Sequence, residues 1–194
     1  MGLWAGVVTW YEELARTEPA FKPGNRYIDL GSQDVQVGRQ EEWTSARSLV
    51  ERLGLTYDCI DKDGRHGAMV LDINTCTQAD VGYRYNVVAN YGTTEHCFDQ
   101  ANCFRLVHDL CLVGGLMIHD VPAGGGIEIL RREELAFYFC SVGLFRDLAE
   151  ANGYEQVRLE IYGRASEPNG YSISAVLRKL VDQPFVVPIQ RQYR

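Results

Sequence analysis

The pattern of apolar and polar positions between residues 85 and 122 is the strongest structural signal in the chain. Residues 85–89 have the sequence Tyr-Asn-Val-Val-Ala, a run typical of a strand buried on both faces. Apolar side chains recur at helical spacing over residues 100–111, and Gly114-Gly115 ends this helix before a second apolar strand at residues 116–118. The order of strand, helix and strand predicts one βαβ unit with a right-handed crossover.

Periodic segments on either side of this unit predict the remaining elements. Helices are expected over residues 3–15, 41–53 and 133–152, and residues 74–84 are expected to be irregular. Strands are expected at residues 26–30, 55–60, 68–71, 156–162 and 171–177, the last two forming an antiparallel hairpin. We therefore predict an α/β fold with a doubly wound, mostly parallel seven-stranded sheet, an antiparallel C-terminal hairpin and helices on both faces.

Length and charge limit the class of protein. The 194 residues fit a single domain, which we divide into an N-terminal helical segment (1–25), a core (26–178) and a C-terminal tail (179–194). The net charge of −7 argues against nucleic acid or an anionic membrane as the main partner. No apolar run approaches the roughly 20 residues of a membrane span, and a signal peptide is not expected.

The cysteines are expected to be buried free thiols. The chain has six of them, none in a Cys-x-x-Cys pair and most within apolar runs. This usage indicates the reducing environment of the cytoplasm, and it lacks the close ligand pairs of a zinc site.

Polar residues follow both strands of the βαβ unit. In doubly wound sheets, ligands bind outside the carboxyl ends of the strands, so these residues are candidates for a ligand site. They are Asn90, Thr93, Thr94, Glu95 and His96 after the first strand, and His119 and Asp120 after the second.

This stretch resembles the second half of a class I S-adenosylmethionine-dependent methyltransferase. In that family a loop often containing Glu-His is followed by a helix, a Gly-Gly turn and the next strand. Glu95-His96, the helix and Gly114-Gly115 match that order, with Val113 in place of the usual proline. The resemblance covers roughly residues 26–178, and it implies S-adenosylmethionine as cofactor and an antiparallel last strand.

The glycine motif after the first strand departs from the family pattern. That pattern is acid-x-Gly-x-Gly-x-Gly, and here Asp29 and Gly31 match while Gln33 and Val35 replace the later glycines. Gln33 would either crowd the approach of the backbone to the cofactor or contact the amino-acid end of the cofactor through its amide. Asp29 would either hold the cofactor ammonium through water or cap the turn.

A carboxylate after the second strand can accept hydrogen bonds from both hydroxyls of a ribose. Asp61 has this position, beside Lys62 and with Asp63 as the alternate; the other interpretation is a solvated loop acid. The resemblance implies four further contacts, near the adenine and along the cofactor: Asp72, Ile73, Asn90 and Gly92.

Two histidines are candidate general bases, because a hydroxyl acceptor must lose a proton during methyl transfer. They are His96, which Glu95 would orient, and His119. Alternatively, Glu95-His96 caps the next helix and His96 bonds a backbone carbonyl. One branch of the family binds a divalent metal through Glu-x-x-Glu-His, but Gly92 stands at the first glutamate position, so no metal site is predicted.

The functional prediction is an S-adenosylmethionine-dependent methyltransferase acting on a small polar metabolite or sugar, at oxygen. Residues 122–137, including Gly124-Gly125-Gly126, are expected to contribute to the acceptor pocket and its lid. The alternative is a non-catalytic binding or assembly module with the same fold, favoured by the altered glycine motif. A nicotinamide-dependent oxidoreductase would need Gly-x-Gly-x-x-Gly after the first strand, which residues 31–36 lack. The oligomeric state is not predicted.

Overall fold

The computed structural model describes residues 2–3, 6–36, 43–123, 136–163 and 171–189. Its strands are β1 (Gly2–Leu3), β2 (Arg26–Leu30), β3 (Asp34–Gln36), β4 (Trp43–Ser45), β5 (Thr56–Ile60), β6 (Tyr85–Tyr91), β7 (Cys111–Pro122), β8 (Tyr154–Gly163) and β9 (Tyr171–Lys179). The main sheet has the order β5-β2-β6-β7-β9-β8. The first four strands in this order are parallel, and β9 is antiparallel to β7 and β8. The predicted mostly parallel sheet with an antiparallel hairpin is confirmed.

The main sheet has six strands over the described residues, so the prediction of seven is wrong. The expected strand at residues 68–71 makes only an isolated bridge between Ile60 and Met69. This apolar run is too short to form a strand that is packed on both faces of the sheet, and the Val70 side chain is 68% exposed. The chain then turns away, because the Asp72 carboxylate accepts hydrogen bonds from the backbone and side-chain amides of Asn74.

The helices are α1 (Gly6–Thr17), α2 (Ala46–Arg52), α3 (Gln78–Val81), α4 (Gln100–Leu110) and α5 (Val142–Asn152). Two are shorter than predicted, because serine caps set their first turns: Ser45 accepts from Ser48 N before α2, and Ser141 accepts from Leu144 N before α5. Residues 124–135, which include the predicted glycine-rich lid, lie outside the described residues. No helix in the described ranges is long and apolar enough to cross a membrane.

Two features were not predicted: α3, within residues 74–84, and a small sheet of order β1-β3-β4. In the small sheet, β3 pairs parallel with β1 and antiparallel with β4. Its segments are two or three residues long, too short for a periodic pattern. Because β3 follows the first turn after β2, the segment that carries the altered glycine motif is extended and buries Val35.

Helices cover both faces of the main sheet, as predicted. One hydrophobic cluster joins α1 and α2 to one face, and a second joins α3, α4 and α5 to the other. All six cysteines are free and buried, which confirms the prediction for them: Cys59, Cys76, Cys97, Cys103, Cys111 and Cys140.

A buried carboxyl group helps to fasten α1 to the sheet. The Asp29 side chain is fully buried and accepts hydrogen bonds of 2.8 Å from the hydroxyls of Tyr27 and Tyr57. The Tyr11 hydroxyl, on α1, lies 2.7 Å from that of Tyr27. Burial raises the pKa of Asp29 to about 7, although the two tyrosine hydrogen bonds act to lower it.

We expect Asp29→Asn to flatten the dependence of stability on pH. The folded state holds the Asp29 proton more tightly than the unfolded chain does, so its contribution to stability is lost as pH rises from about 4 to about 7. Asparagine keeps the shape and an oxygen acceptor but does not ionise. Between about pH 5 and about pH 8, the free energy of unfolding should fall by about 2 kcal/mol less in Asp29→Asn than in the wild-type protein.

Urea unfolding at several pH values measures this effect. Glu13→Gln, which changes an exposed carboxylate on α1, is the matched control and should leave the pH profile unchanged. An identical pH profile for Asp29→Asn and the wild-type protein would contradict the assignment of this titration to Asp29.

Candidate functional site

The carboxyl ends of the parallel strands bring four chain segments to one edge of the main sheet. Residues 31–33 follow β2, residues 61–64 follow β5, residues 92–97 follow β6 and residues 119–122 end β7. The register aligns these strand ends, because Leu30 pairs with both Ile60 and Asn90, and Asn90 pairs with His119. We call these four segments the carboxyl edge; most of the candidate site residues belong to it.

The segment after β2 is fastened to the segment after β6. Gly31 has a φ of 87°, and a Cβ at this position would overlap the Thr93 hydroxyl. Gln33 is buried, and its side-chain amide donates to the Tyr91 carbonyl oxygen at 2.9 Å and to the Thr93 Oγ1 at 3.4 Å. The Gln33 amide is thus hydrogen-bonded to the end of β6. The Asp29 side chain is buried within the sheet, below the carboxyl edge.

Asp61 lies beside the turn that follows β2. Its Oδ2 accepts from the Ser32 backbone N–H at 2.8 Å, and its Oδ1 accepts from Asp63 N at 3.3 Å. The Ser32 side chain is buried, and its hydroxyl has no hydrogen-bond partner among the described residues. Lys62 is exposed on the same loop. This corner therefore combines an accessible carboxylate with an unsatisfied hydroxyl.

The predicted adenine contacts occupy two different environments. Asp72 is exposed, and its hydrogen bonds to Asn74 lower the pKa of its carboxyl group. Ile73 is buried in the core that includes α3 and α4. Gly92 has a φ of 62° and donates its N–H to the Asp120 carbonyl oxygen at 2.9 Å. Asp72 and Ile73 are adjacent in the loop before α3, whereas Gly92 lies in the segment after β6.

Asn90 organises the segment after β6. The side chain is fully buried; its amide nitrogen donates to Thr94 Oγ1 at 2.8 Å and its oxygen accepts from Thr94 N at 3.1 Å. The same nitrogen lies 3.2 Å from His119 Nδ1. Asn90 therefore supports the turn that presents Glu95 rather than projecting from the edge.

His119 is an interior residue. It is 1% exposed, and its ring lies 5.6 Å and 5.2 Å, centroid to centroid, from the rings of Phe104 and Phe145. The cavity that it lines measures about 10 Å³, room for about one water molecule. Burial lowers the pKa of His119 to about 4, so the imidazole is neutral at physiological pH.

Glu95 and His96 differ in exposure, although they are neighbours in a short 3₁₀ turn (Thr94–His96). Glu95 is 1% exposed, whereas the His96 side chain is 39% exposed, and Glu95 Oε1 lies 3.9 Å from His96 Nε2. Glu95 Oε2 is buried without a hydrogen-bond partner among the described residues. Burial raises the pKa of Glu95 to about 7.

The structure adds a partner that the sequence pattern did not single out. The Tyr162 hydroxyl, on β8, lies 2.6 Å and 2.7 Å from the two carboxylate oxygens of Asp120 on β7. Burial raises the pKa of Asp120 to about 6. The hairpin prediction contained Tyr162, but only the packing of β9 between β7 and β8 brings it to Asp120. Within the described ranges, no three His, Cys, Asp or Glu side chains form a group that could hold a metal ion.

No protein-family model matches this sequence, and no curated protein matches it significantly. Solved structures do match. A candidate sarcosine dimethylglycine methyltransferase from Galdieria sulphuraria aligns with a TM-score of 0.61 and 14% identity, over 90% of this chain and 86% of that one. An S-adenosylmethionine-dependent methyltransferase from Archaeoglobus fulgidus aligns with a TM-score of 0.59 and 12% identity, over 88% and 93% of the two chains.

The 1,6-didemethyltoxoflavin-N1-methyltransferase of Burkholderia thailandensis aligns with a TM-score of 0.56 and 14% identity, over 91% of this chain and 86% of that one. This chain has the fold of the class I S-adenosylmethionine-dependent methyltransferases. At such low identity the similarity establishes the methyltransferase fold, and the reaction has to be argued from the residues of the carboxyl edge.

We expect Gly31→Ala to destabilise the protein by about 2 kcal/mol or more, because it combines a positive φ with an overlap on Thr93. The double variant Gly31→Ala, Thr93→Ala should recover part of this loss, since it removes the hydroxyl while leaving the backbone strain. Chemical unfolding of the two single variants and the double variant measures the coupling. Additive effects would contradict the contact between the two segments.

We expect His119 to remain neutral from about pH 8 down to about pH 5, because burial lowers its pKa to about 4. The imidazole resonances in a two-dimensional NMR spectrum should not shift over this range, with His119→Phe used to assign them. A His119 midpoint near its ordinary pKa of about 6.5 would show that the ring is accessible to water.

Proposed function

We propose that the protein is an S-adenosylmethionine-dependent methyltransferase that acts on a small-molecule acceptor. One observation carries the proposal: two buried polar atoms at the carboxyl edge of a methyltransferase fold, Ser32 Oγ and Glu95 Oε2, have no partner among the described residues. Buried polar groups are almost always hydrogen-bonded, so atoms of this kind indicate a ligand that supplies the missing partners. The toxoflavin methyltransferase with the same fold was crystallised with S-adenosylhomocysteine.

The residues of the carboxyl edge fit such a cofactor in part. Asp61 would accept hydrogen bonds from the ribose hydroxyls, since each of its oxygens accepts only one backbone N–H among the described contacts. Ser32 would bond the cofactor next to Asp61. Asp29 does not fit the role of an ammonium ligand, because its carboxyl group is held below the edge by Tyr27 and Tyr57.

The bound cofactor would supply a methyl group activated by a sulfonium. The protein would then have to orient the acceptor, exclude water and accept a proton. Glu95 and His96 are the residues best suited to hold that proton, because Glu95 is buried with a pKa of about 7 and His96 is beside it at the surface. His119 would position Asn90 rather than act as the base. Oxygen remains the accepting atom predicted from the sequence, and the six buried thiols suit a cytoplasmic enzyme.

A second candidate is a non-catalytic binding module with the same fold. It is favoured by the Gln33 amide, which is hydrogen-bonded to Tyr91 where the family pattern has a glycine. In this alternative the fastening of the two segments closes the edge to the cofactor.

Calorimetric titration with S-adenosylhomocysteine separates the two candidates. The methyltransferase proposal predicts binding at micromolar concentration that weakens by about tenfold or more in Asp61→Ala, since the ribose loses a charged acceptor. Glu150→Gln, an exposed acid on α5, is the control, and NADH should not bind. Absence of binding at about millimolar ligand would favour the non-catalytic module.

A further inference from the structure

The Glu95 carboxyl group is buried but poorly satisfied. Oε2 has no hydrogen-bond partner among the described residues, whose one ion pair with Glu95 is His96 Nε2 at 3.9 Å from Oε1. A buried carboxylate normally has hydrogen-bond donors or a positive charge beside it. The described part of the chain therefore leaves Oε2 able to accept a hydrogen bond from a ligand.

The backbone around Glu95 holds the residue in this place. Its carbonyl oxygen accepts from Phe137 N at 2.9 Å, and Thr94 is held by both ends of the Asn90 side chain. Gln100 Nε2 donates to the Cys97 carbonyl oxygen at 2.8 Å on the other side of the turn. These bonds fix the backbone position from which the Glu95 side chain extends.

Asp120 provides a second, half-buried carboxyl group at the same edge. Glu95 and Asp120 repel each other electrostatically, which adds to the rise in the pKa of Glu95 that burial causes. Tyr162 donates to Asp120 through one hydroxyl proton, which leaves acceptor capacity on the carboxylate. A buried acid and a half-buried acid that repel each other would both be stabilised by one positive charge.

A cation on a neighbouring element is engaged elsewhere. The charge of Arg158 on β8 acts on Asp120, but its guanidinium group is hydrogen-bonded to Glu160 and lies 5.1 Å above the Trp10 ring. Among the described residues, Cys97 and Cys140 interact electrostatically with Glu95, and Tyr91 does so with Asp120; none of these three groups carries a positive charge.

We propose, on the basis of the methyltransferase function above, that the acceptor is an amine rather than the hydroxyl compound predicted from the sequence, and that its protonated nitrogen binds at the carboxyl groups of Glu95 and Asp120. A protonated amine supplies up to three N–H donors and a positive charge. It could therefore satisfy Glu95 Oε2 and offset the repulsion from Asp120. A hydroxyl group supplies one donor and no charge, so it would leave the repulsion between Glu95 and Asp120 without compensation.

Glu95 also suits the proton transfer that an amine acceptor requires. The nitrogen must lose one proton before its electron pair can form a new bond. In this step the N–H bond breaks, an O–H bond forms on Glu95 Oε2, and the electron pair stays on the nitrogen. Glu95 acts here as a base of near-neutral pKa in a site shielded from water.

Binding of matched amines and alcohols tests the proposal without any methyl transfer. Benzylamine, cyclohexylamine and ethanolamine would be titrated against benzyl alcohol, cyclohexanol and ethylene glycol, with ligand-observed NMR at about pH 8, where the acids are ionised. We expect at least one amine to bind about tenfold more tightly than its alcohol. Glu95→Gln and Asp120→Asn should each reduce this preference about tenfold, while Glu150→Gln should leave it unchanged.

Three results would overturn the proposal: equal affinity for amine and alcohol, an amine preference that survives in Glu95→Gln, or no amine binding at about 10 mM. Circular dichroism establishes that each variant is folded, and Glu95→Asp, which keeps the charge, should retain part of the preference. S-Adenosylhomocysteine titration of the same samples keeps the two proposals apart. Cofactor binding without amine preference removes only the amine site, whereas amine preference without cofactor binding removes the methyltransferase function.

Discussion

The hydrogen bonding of β6 on both of its edges is the constraint on which the rest of the structure depends. β6 pairs in parallel with β2 on one side and with β7 on the other, and all but one of its residues are buried. A strand in this position has to end in register with its neighbours. The chain segments that follow β2, β6 and β7 therefore meet at one edge, and their side chains must be satisfied by each other or by a ligand.

Some polar groups of the carboxyl edge are hydrogen-bonded within the protein, and others are left for a ligand. Asp29 and Gln33 are satisfied within the protein, one by the hydroxyls of Tyr27 and Tyr57 and the other by the Tyr91 carbonyl oxygen. Both positions belong to the motif that would bind the cofactor. The two side chains expected to contact the cofactor are therefore hydrogen-bonded within the protein instead. Ser32 is the exception, because its hydroxyl remains without a partner among the described residues.

Three carboxyl groups near this edge have raised pKa values: the buried Asp29 and Glu95 at about 7 and the half-buried Asp120 at about 6. Burial is the largest cause in each case, but the local consequences differ. Asp29 has two hydroxyl donors and Asp120 has one, whereas Glu95 has a histidine at 3.9 Å and an unsatisfied oxygen. An interior acid with an unsatisfied oxygen is costly, and such residues commonly mark a binding or catalytic function.

The local pattern of the sequence was enough to predict much of the fold. The apolar run of β6 and the helical spacing of apolar residues in α4 match side chains that are buried in the fold, whereas the alternation in β8 predicted a strand although none of its residues is buried. The altered glycine motif also stood out in the sequence, because Gln33 occupies a position where glycine was expected. The boundaries were less well predicted, since α5 begins only at Val142, after the Ser141 cap.

Only the tertiary structure decided how the polar residues are used. The sequence placed Asp29 and Glu95 alike at strand ends, but Asp29 faces the tyrosines of α1 and two strands, while Glu95 Oε2 has no partner among the described residues. It likewise gave residues 68–71 the character of a strand, although they form one bridge at the side of β5. The physical reason is that satisfaction of a polar group depends on contacts between segments far apart in the chain, such as Tyr162 with Asp120, and no local periodicity encodes them.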